Sequence, residues 1–146
     1  MSDTRSEASR EEQLYNFFKN QGMGALCERM GVELTEFNRE RAAATMPVDG
    51  NTQPVGLLHG GAYCVLGESL GSMHATLLAP EGHIAVGVDI NATHTAAVKQ
   101  GEVTAVCTPI HVGRSLCVHE IIVVDATGRR CSTIRITNLF RPNPAA

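Results

Sequence analysis

The stretch from Asn51 to Pro80, NTQPVGLLHGGAYCVLGESLGSMHATLLAP, constrains this chain more than any other. Between Asp49 and Glu81 its only formal charge is Glu68. After the loop Gln53-Pro54-Val55-Gly56, residues 59–78 read as one helix. Apolar side chains stand on nearly every side of it: Ala62, Val65, Leu66, Leu70, Met73, Leu77 and Leu78. Such a helix, roughly 30 Å long at 1.5 Å per residue, is one that a fold buries all round. A carboxylate in its middle is costly unless it is paired, neutralised or put to use. Glu68 is therefore the first functional candidate. The run does not read as a membrane span: it holds Glu68, His59, His74 and several glycines, and has no Lys or Arg flank.

The remaining segments supply the cover. Residues 11–30 predict a helix with Leu14, Phe17 and Phe18 on one face, weakened by Gly22 and Gly24 and ended by Gly31. GVELTEF and RAAATMPV alternate around Asn38-Arg39-Glu40 and predict a hairpin. Four strands follow the apolar helix, over 83–95, 102–111, 115–124 and 131–140, with turns at Lys99-Gln100-Gly101, Val112-Gly113 and 125–128. In the first of them Ile84, Val86, Val88, Ile90 and Ala92 share a face. Pro109 predicts a bulge or an edge position. The fold class is α+β, with a long central helix wrapped by an antiparallel sheet of hairpin-joined strands. One domain is expected over 11–140, between a disordered tail over 1–10 and a short tail over 141–146.

A net charge of -3 with no basic block argues against a nucleic-acid partner. The polar N-terminus lacks the apolar core of a signal peptide. Five cysteines, an odd number with no CxxC pair, read as free thiols in a reducing cytoplasm.

Gln53, His59 and Glu68 stand out by spacing, with Ser72 one turn beyond Glu68 on the same face. His59-Gly60-Gly61 at a helix start presents free backbone N–H groups, and the glycines admit a ligand close to the backbone. That is an oxyanion hole or anion site. A carboxylate further along could attack a carbonyl held there, or activate water to do so. Each residue also has a plain reading: a helix start, close packing, a solvated charge.

The pattern Gln53, His59-Gly60-Gly61, Glu68, Ser72, followed by VGVDINATH, PIHVGRS and GRRCS, resembles the hotdog-fold acyl-CoA thioesterases over about residues 31–140. Within them it is similar to the PaaI-like group that contains 4-hydroxybenzoyl-CoA and 1,4-dihydroxy-2-naphthoyl-CoA thioesterases. The resemblance implies Glu68 as nucleophile or general base, and the Gly60 N–H as the group that polarises the thioester carbonyl. It implies Gln53 and His59 from a neighbouring subunit, Ser72 beside the carboxylate, and a homodimer or dimer-of-dimers tetramer. The CoA moiety would run past Gly87, His94, Thr95, Ala96 and Ala97, and the turn His111, Val112, Gly113, Arg114, Ser115 and Leu116. Arg114 suits a CoA phosphate. Some relatives carry a basic residue where this chain has Ala96, which shifts attention to Lys99. No metal spacing is present, and no cofactor is expected beyond the CoA of the substrate. A hydratase or dehydratase acting on acyl thioesters, and a non-catalytic acyl-CoA-binding protein, are the competing readings.

Overall fold

The computed structural model describes residues 4–145, and the side chains from Ala8 onward. The expected N-terminal helix is two helices. The first, α1 (Thr4–Gln21), starts well before residue 11, so only residues 1–3 of the expected tail lie outside the described residues. Gly22 and Gly24, at φ 74° and 93°, break the run, and α2 (Ala25–Met30) follows. Leu14 and Phe18 pack on the core, whereas Phe17 is exposed. Gly31 ends α2 in the left-handed region, with its N–H on Glu28 O.

A hairpin of β1 (Glu33–Phe37) and β2 (Ala42–Pro47) comes next. Its turn is closed by Asn38 Oδ1, which accepts from the N–H groups of Glu40 and Arg41. The apolar run forms α3 (Gly60–Leu78), capped by His59. Its C-terminal carbonyls are satisfied by Arg10 of α1, whose guanidinium donates to Thr76 O and Ala79 O at 2.9 and 2.8 Å.

The last four strands are β3 (His83–His94), β4 (Glu102–Val112), β5 (Leu116–Val124) and β6 (Arg130–Pro142), the last reaching into the expected C-terminal tail. All pairings are antiparallel, in the order β1-β2-β4-β5-β6-β3. The expected β3–β4 hairpin does not exist. β3 pairs with β6 at the far edge, and residues 95–101 cross the end of the sheet so that β4 can pair with β2. Non-local contacts hold that crossing: Leu58 N–H donates to Val98 O, Val48 N–H to Gly101 O, and Arg129 to Ala97 O.

The sheet curls around α3. Leu66, Leu70 and Leu77 are fully buried, with Met46, Val103, Ile121, Ile134 and Ile136 among their neighbours in one core. Gly67 and Gly71 let α3 approach β6, since a β-carbon at either would collide with Ile134 or Ile136. The β4 register shifts between Pro109 and His111, the bulge that Pro109 predicts. A second shift, between Gly87 and Asp89, reverses which β3 residues face inward. Ile90 and Ala92 pack on the core, but Val86 and Val88 are exposed, against the single apolar face expected there. Cys27, Cys107, Cys117 and Cys131 are buried, Cys64 is half-buried, and all five are free. No described helix is long and apolar enough to cross a membrane.

Candidate active site

The expected site residues fall into two groups within the chain. The first surrounds Glu68. It sits half-buried in α3 with its carboxylate against Gly87 of β3, where a side chain would overlap Glu68 Oε1. Its carboxylate has no hydrogen-bond or ion-pair partner among the described residues. One turn on, Ser72 Oγ accepts from Asn138 Nδ2 at 2.9 Å. Asn138 pairs with Gly87 across β3–β6 and is fully buried, and its Oδ1 has no partner. Asn138 was absent from the sequence expectations. Its signal is readable, however: it follows Ile134 and Ile136 in the inward row of β6, where an amide is out of place unless used.

The β4–β5 turn joins this group. Val112 pairs with Cys117, which pairs with Asn138, which pairs with Gly87, so one row crosses the sheet to Glu68. The turn is closed by Gly113 N–H on Leu116 O at 2.8 Å, with the His111 ring against Gly113. Arg114 and Ser115 are exposed at its tip, and Arg114 makes no ion pair among the described residues.

The second group lies at the other end. A cavity of about 410 Å³ is lined by Gln53, Gly60, Tyr63, His94, Thr95, Ala96 and Ala97 among others. Gly60 opens α3, and its N–H has no acceptor among the described residues. His59 Nδ1 accepts from Gly61 N–H at 2.8 Å, so His59 caps the helix. Gln53 Oε1 accepts from Val55 N–H within its own loop. His94 rests against Gly60 and stacks on Tyr63, two contacts that the sequence did not reveal.

The groups are far apart within the chain. Eight residues of helix put Gly60 and Glu68 about 12 Å apart along α3. Seven residues of strand put Gly87 and His94 about 23 Å apart along β3.

Outside both groups, the fold gathers a set of possible metal ligands that sequence spacing hides. The ligand atoms of His74, Cys107 and His119 lie within 4.8 Å of one another, all buried. The facing nitrogens are already joined, His74 Nδ1 to His119 Nε2 at 2.8 Å, and His74 Nε2 meets Asn38 O at 2.7 Å. Desolvation holds both imidazoles below the usual range, His119 at about 3, with the neighbouring His74 adding to the effect. The pair is a neutral hydrogen-bonded element of the core.

Comparison with known proteins shows the family. Residues 55–132 match the model of the Thioesterase superfamily. The chain is 47% identical to the proofreading thioesterase EntH of Cronobacter turicensis over 116 residues, covering 79% of this chain and 85% of that one. A thioesterase structure from Haemophilus influenzae superimposes with a TM-score of 0.80 at 36% identity, covering 90% of each chain. A Staphylococcus aureus protein, called a thioesterase enzyme in one of two structures compared, superimposes with TM-scores of 0.77 and 0.78 at 32% and 30% identity, covering 81–82% of this chain and 99–100% of that one. It was solved as a glutamate-to-alanine and as a glutamine-to-alanine variant, at positions fifteen residues apart.

Proposed function

Since the chain belongs to the thioesterase superfamily, with the hotdog fold of its PaaI-like members, and is a thioester hydrolase, we propose that it hydrolyses an acyl-CoA through Glu68. The observation that carries this reading is the Glu68 carboxylate, without a hydrogen-bond or ion-pair partner among the described residues and set against Gly87, where a β-carbon would overlap it. Glu68 acts on the thioester carbonyl as nucleophile or general base. Ser72, tied to Asn138, lies one turn further along the same face. The spacing of the two substituted positions in the Staphylococcus aureus protein is that of Gln53 and Glu68, which supports pairing these two in one site.

A complete site needs two subunits. β3 is a long edge strand with Val86 and Val88 exposed, the kind of edge that proteins cover. Antiparallel pairing of two β3 edges reverses the strands. It sets the Gly87 half of one strand beside the His94 half of the other. Glu68 then meets Gln53 of the partner subunit and Gly60 of the partner subunit, as the two separate groups require. Arg114, exposed at the tip of its turn, takes a CoA phosphate in this scheme. The resemblance of residues 90–94, INATH, to the PaaI-like group supports an aromatic acyl group, hydroxylated as in the 4-hydroxybenzoyl-CoA and 1,4-dihydroxy-2-naphthoyl-CoA thioesterases of that group. No cofactor beyond the CoA of the substrate enters this scheme.

The test is release of free CoA thiol from a panel of aryl-CoA and aliphatic acyl-CoA substrates, wild type against Glu68→Gln. The variant is expected to lose about 10²–10⁴-fold in kcat with an unchanged fold. Near wild-type turnover by Glu68→Gln removes Glu68 from the chemistry.

A further inference from the structure

His94 is held from three sides. It pairs with Ser132 across β3–β6, and its Nδ1 lies 2.9 Å from Ser132 Oγ. Its ring stacks on Tyr63, with centroids 4.9 Å apart and planes at 26°. Ser132 and Tyr63 are both buried. The other ring nitrogen, Nε2, faces the start of α3, so close that a β-carbon on Gly60 would lie 2.9 Å from it.

Hydrogen-bond accounting favours one tautomer. The Ser132 hydroxyl has one partner among the described residues, His94 Nδ1. A buried hydroxyl hydrogen goes to an acceptor. Ser132 therefore donates to Nδ1, and the imidazole carries its own hydrogen on Nε2, beside the cavity. The Gly60 N–H, without an acceptor among the described residues, is at the same helix start. Gly60 and His94 line one cavity, which Gln53 also lines.

We propose that His94 Nε2–H and Gly60 N–H together form a two-donor oxyanion hole, with Ser132 as the positioning residue that fixes the His94 tautomer and Tyr63 as the shelf under its ring. The inference rests on the thioesterase reading above. It gives His94 a part in the chemistry, where its motif implies contact with CoA. In the addition step an oxygen of the Glu68 carboxylate, or of a water whose proton passes to that carboxylate, forms a C–O bond to the thioester carbon and the carbonyl π pair moves onto oxygen. Both N–H groups stabilise that oxygen, and His94 keeps its proton. Collapse returns the pair, the C–S bond breaks, and the thiolate leaves with the sulfur pair.

Two measurements on the full-length protein judge this. Long-range proton–nitrogen correlation spectra report imidazole tautomers without substrate. Wild type is expected to show His94 as the Nε2–H form, and Ser132→Ala a mixture. An Nδ1–H form in wild type overturns the proposal. Kinetics on a hydrolysed acyl-CoA form the second arm. His94→Ala should lose about 10²–10³-fold in kcat, the cost of one oxyanion donor, with KM little changed. His94→Gln, which keeps an N–H donor, should recover part of the loss, and Ser132→Ala should lose less than His94→Ala. A rise in KM with kcat unchanged makes His94 a CoA contact and sinks the proposal. Should His94→Ala fail to fold, the His94→Gln kinetics and the wild-type tautomer decide. Glu68→Gln run alongside separates the two readings: if it abolishes turnover while His94→Ala does not, the thioesterase mechanism stands and the oxyanion assignment falls.

Discussion

Glu68 and Gly87 show how one residue's chemistry depends on another's lack of a side chain. The carboxylate fits because nothing projects from Gly87. Gly87→Ala is therefore expected to push Glu68 aside and lower kcat by about 10²-fold, the scale of a 1 Å misplacement, while the thermal midpoint moves little. Unchanged kcat in that variant means the carboxylate has room to spare and is not held by this contact. The His74–His119 pair makes a different residue-scale prediction, about stability. His74 faces the Asn38 carbonyl, with Arg39 and Glu40 of the hairpin turn acting on it, and Cys107 of β4 closes the cluster. His119 has its native pKa depressed to about 3 from 6.5. Between those values the unfolded chain binds the proton and the native one does not. Stability is therefore full above about pH 6.5 and falls as pH drops through that window. Urea midpoints at pH 7.5 and 5 should differ, and by less in His119→Phe. An equal pH dependence in that variant assigns the effect to other groups.

At the scale of elements, α3 was the most legible part of the chain, because an almost uncharged run of this length has few folded solutions. Its glycines are part of that solution. Gly71→Ala gains up to about 1 kcal/mol of helix propensity. It also drives a methyl into Ile136, and overpacking of this kind costs about 1–3 kcal/mol. The net expectation is a lower denaturation midpoint. Ile136→Ala in the same chain should cost less than the sum of the two single changes. Strict additivity between these sites is the result that contradicts the contact. The strands were less legible. The bulge that Pro109 forces could be read because proline lacks an N–H. The bulge at Gly87–Asp89 could not, because Val86 and Val88 keep the apolar alternation while the backbone slips beneath it. The β3–β4 crossing was missed because Lys99-Gln100-Gly101 reads locally as a turn. What decides it is the match of β4 to β2, half a chain away. The site divides in the same way. Gln53, Gly60 and the segment 94–97 were chosen by motif and do line one cavity. Tyr63 was missed and Ser132 was read only as the end of the GRRCS motif, since neither residue's contact shows until α3 and β6 bring the two to His94.

At the scale of the whole molecule, the separation of the two residue groups is the central fact. Helix and strand spacing keep Glu68 away from Gly60 inside one protomer, so no side-chain rotation unites them. In the proposed pairing, reversal of one β3 edge against another unites them. If so, a subunit lacking Glu68 and a subunit lacking Gln53 are each inactive alone, yet a hybrid of the two holds one intact site and one doubly damaged site. Equal mixing of Glu68→Ala and Gln53→Ala subunits, after mild dissociation and reassociation, should restore about a quarter of wild-type activity from random pairing. The gain should follow the hybrid fraction as mass ratios are varied, with exchange monitored by native mass spectrometry. Sites confined to single subunits give no gain at any ratio. Activity that stays at the parental level, with hybrids plainly present, contradicts a shared site and leaves the exposed β3 edge to be explained by some other contact.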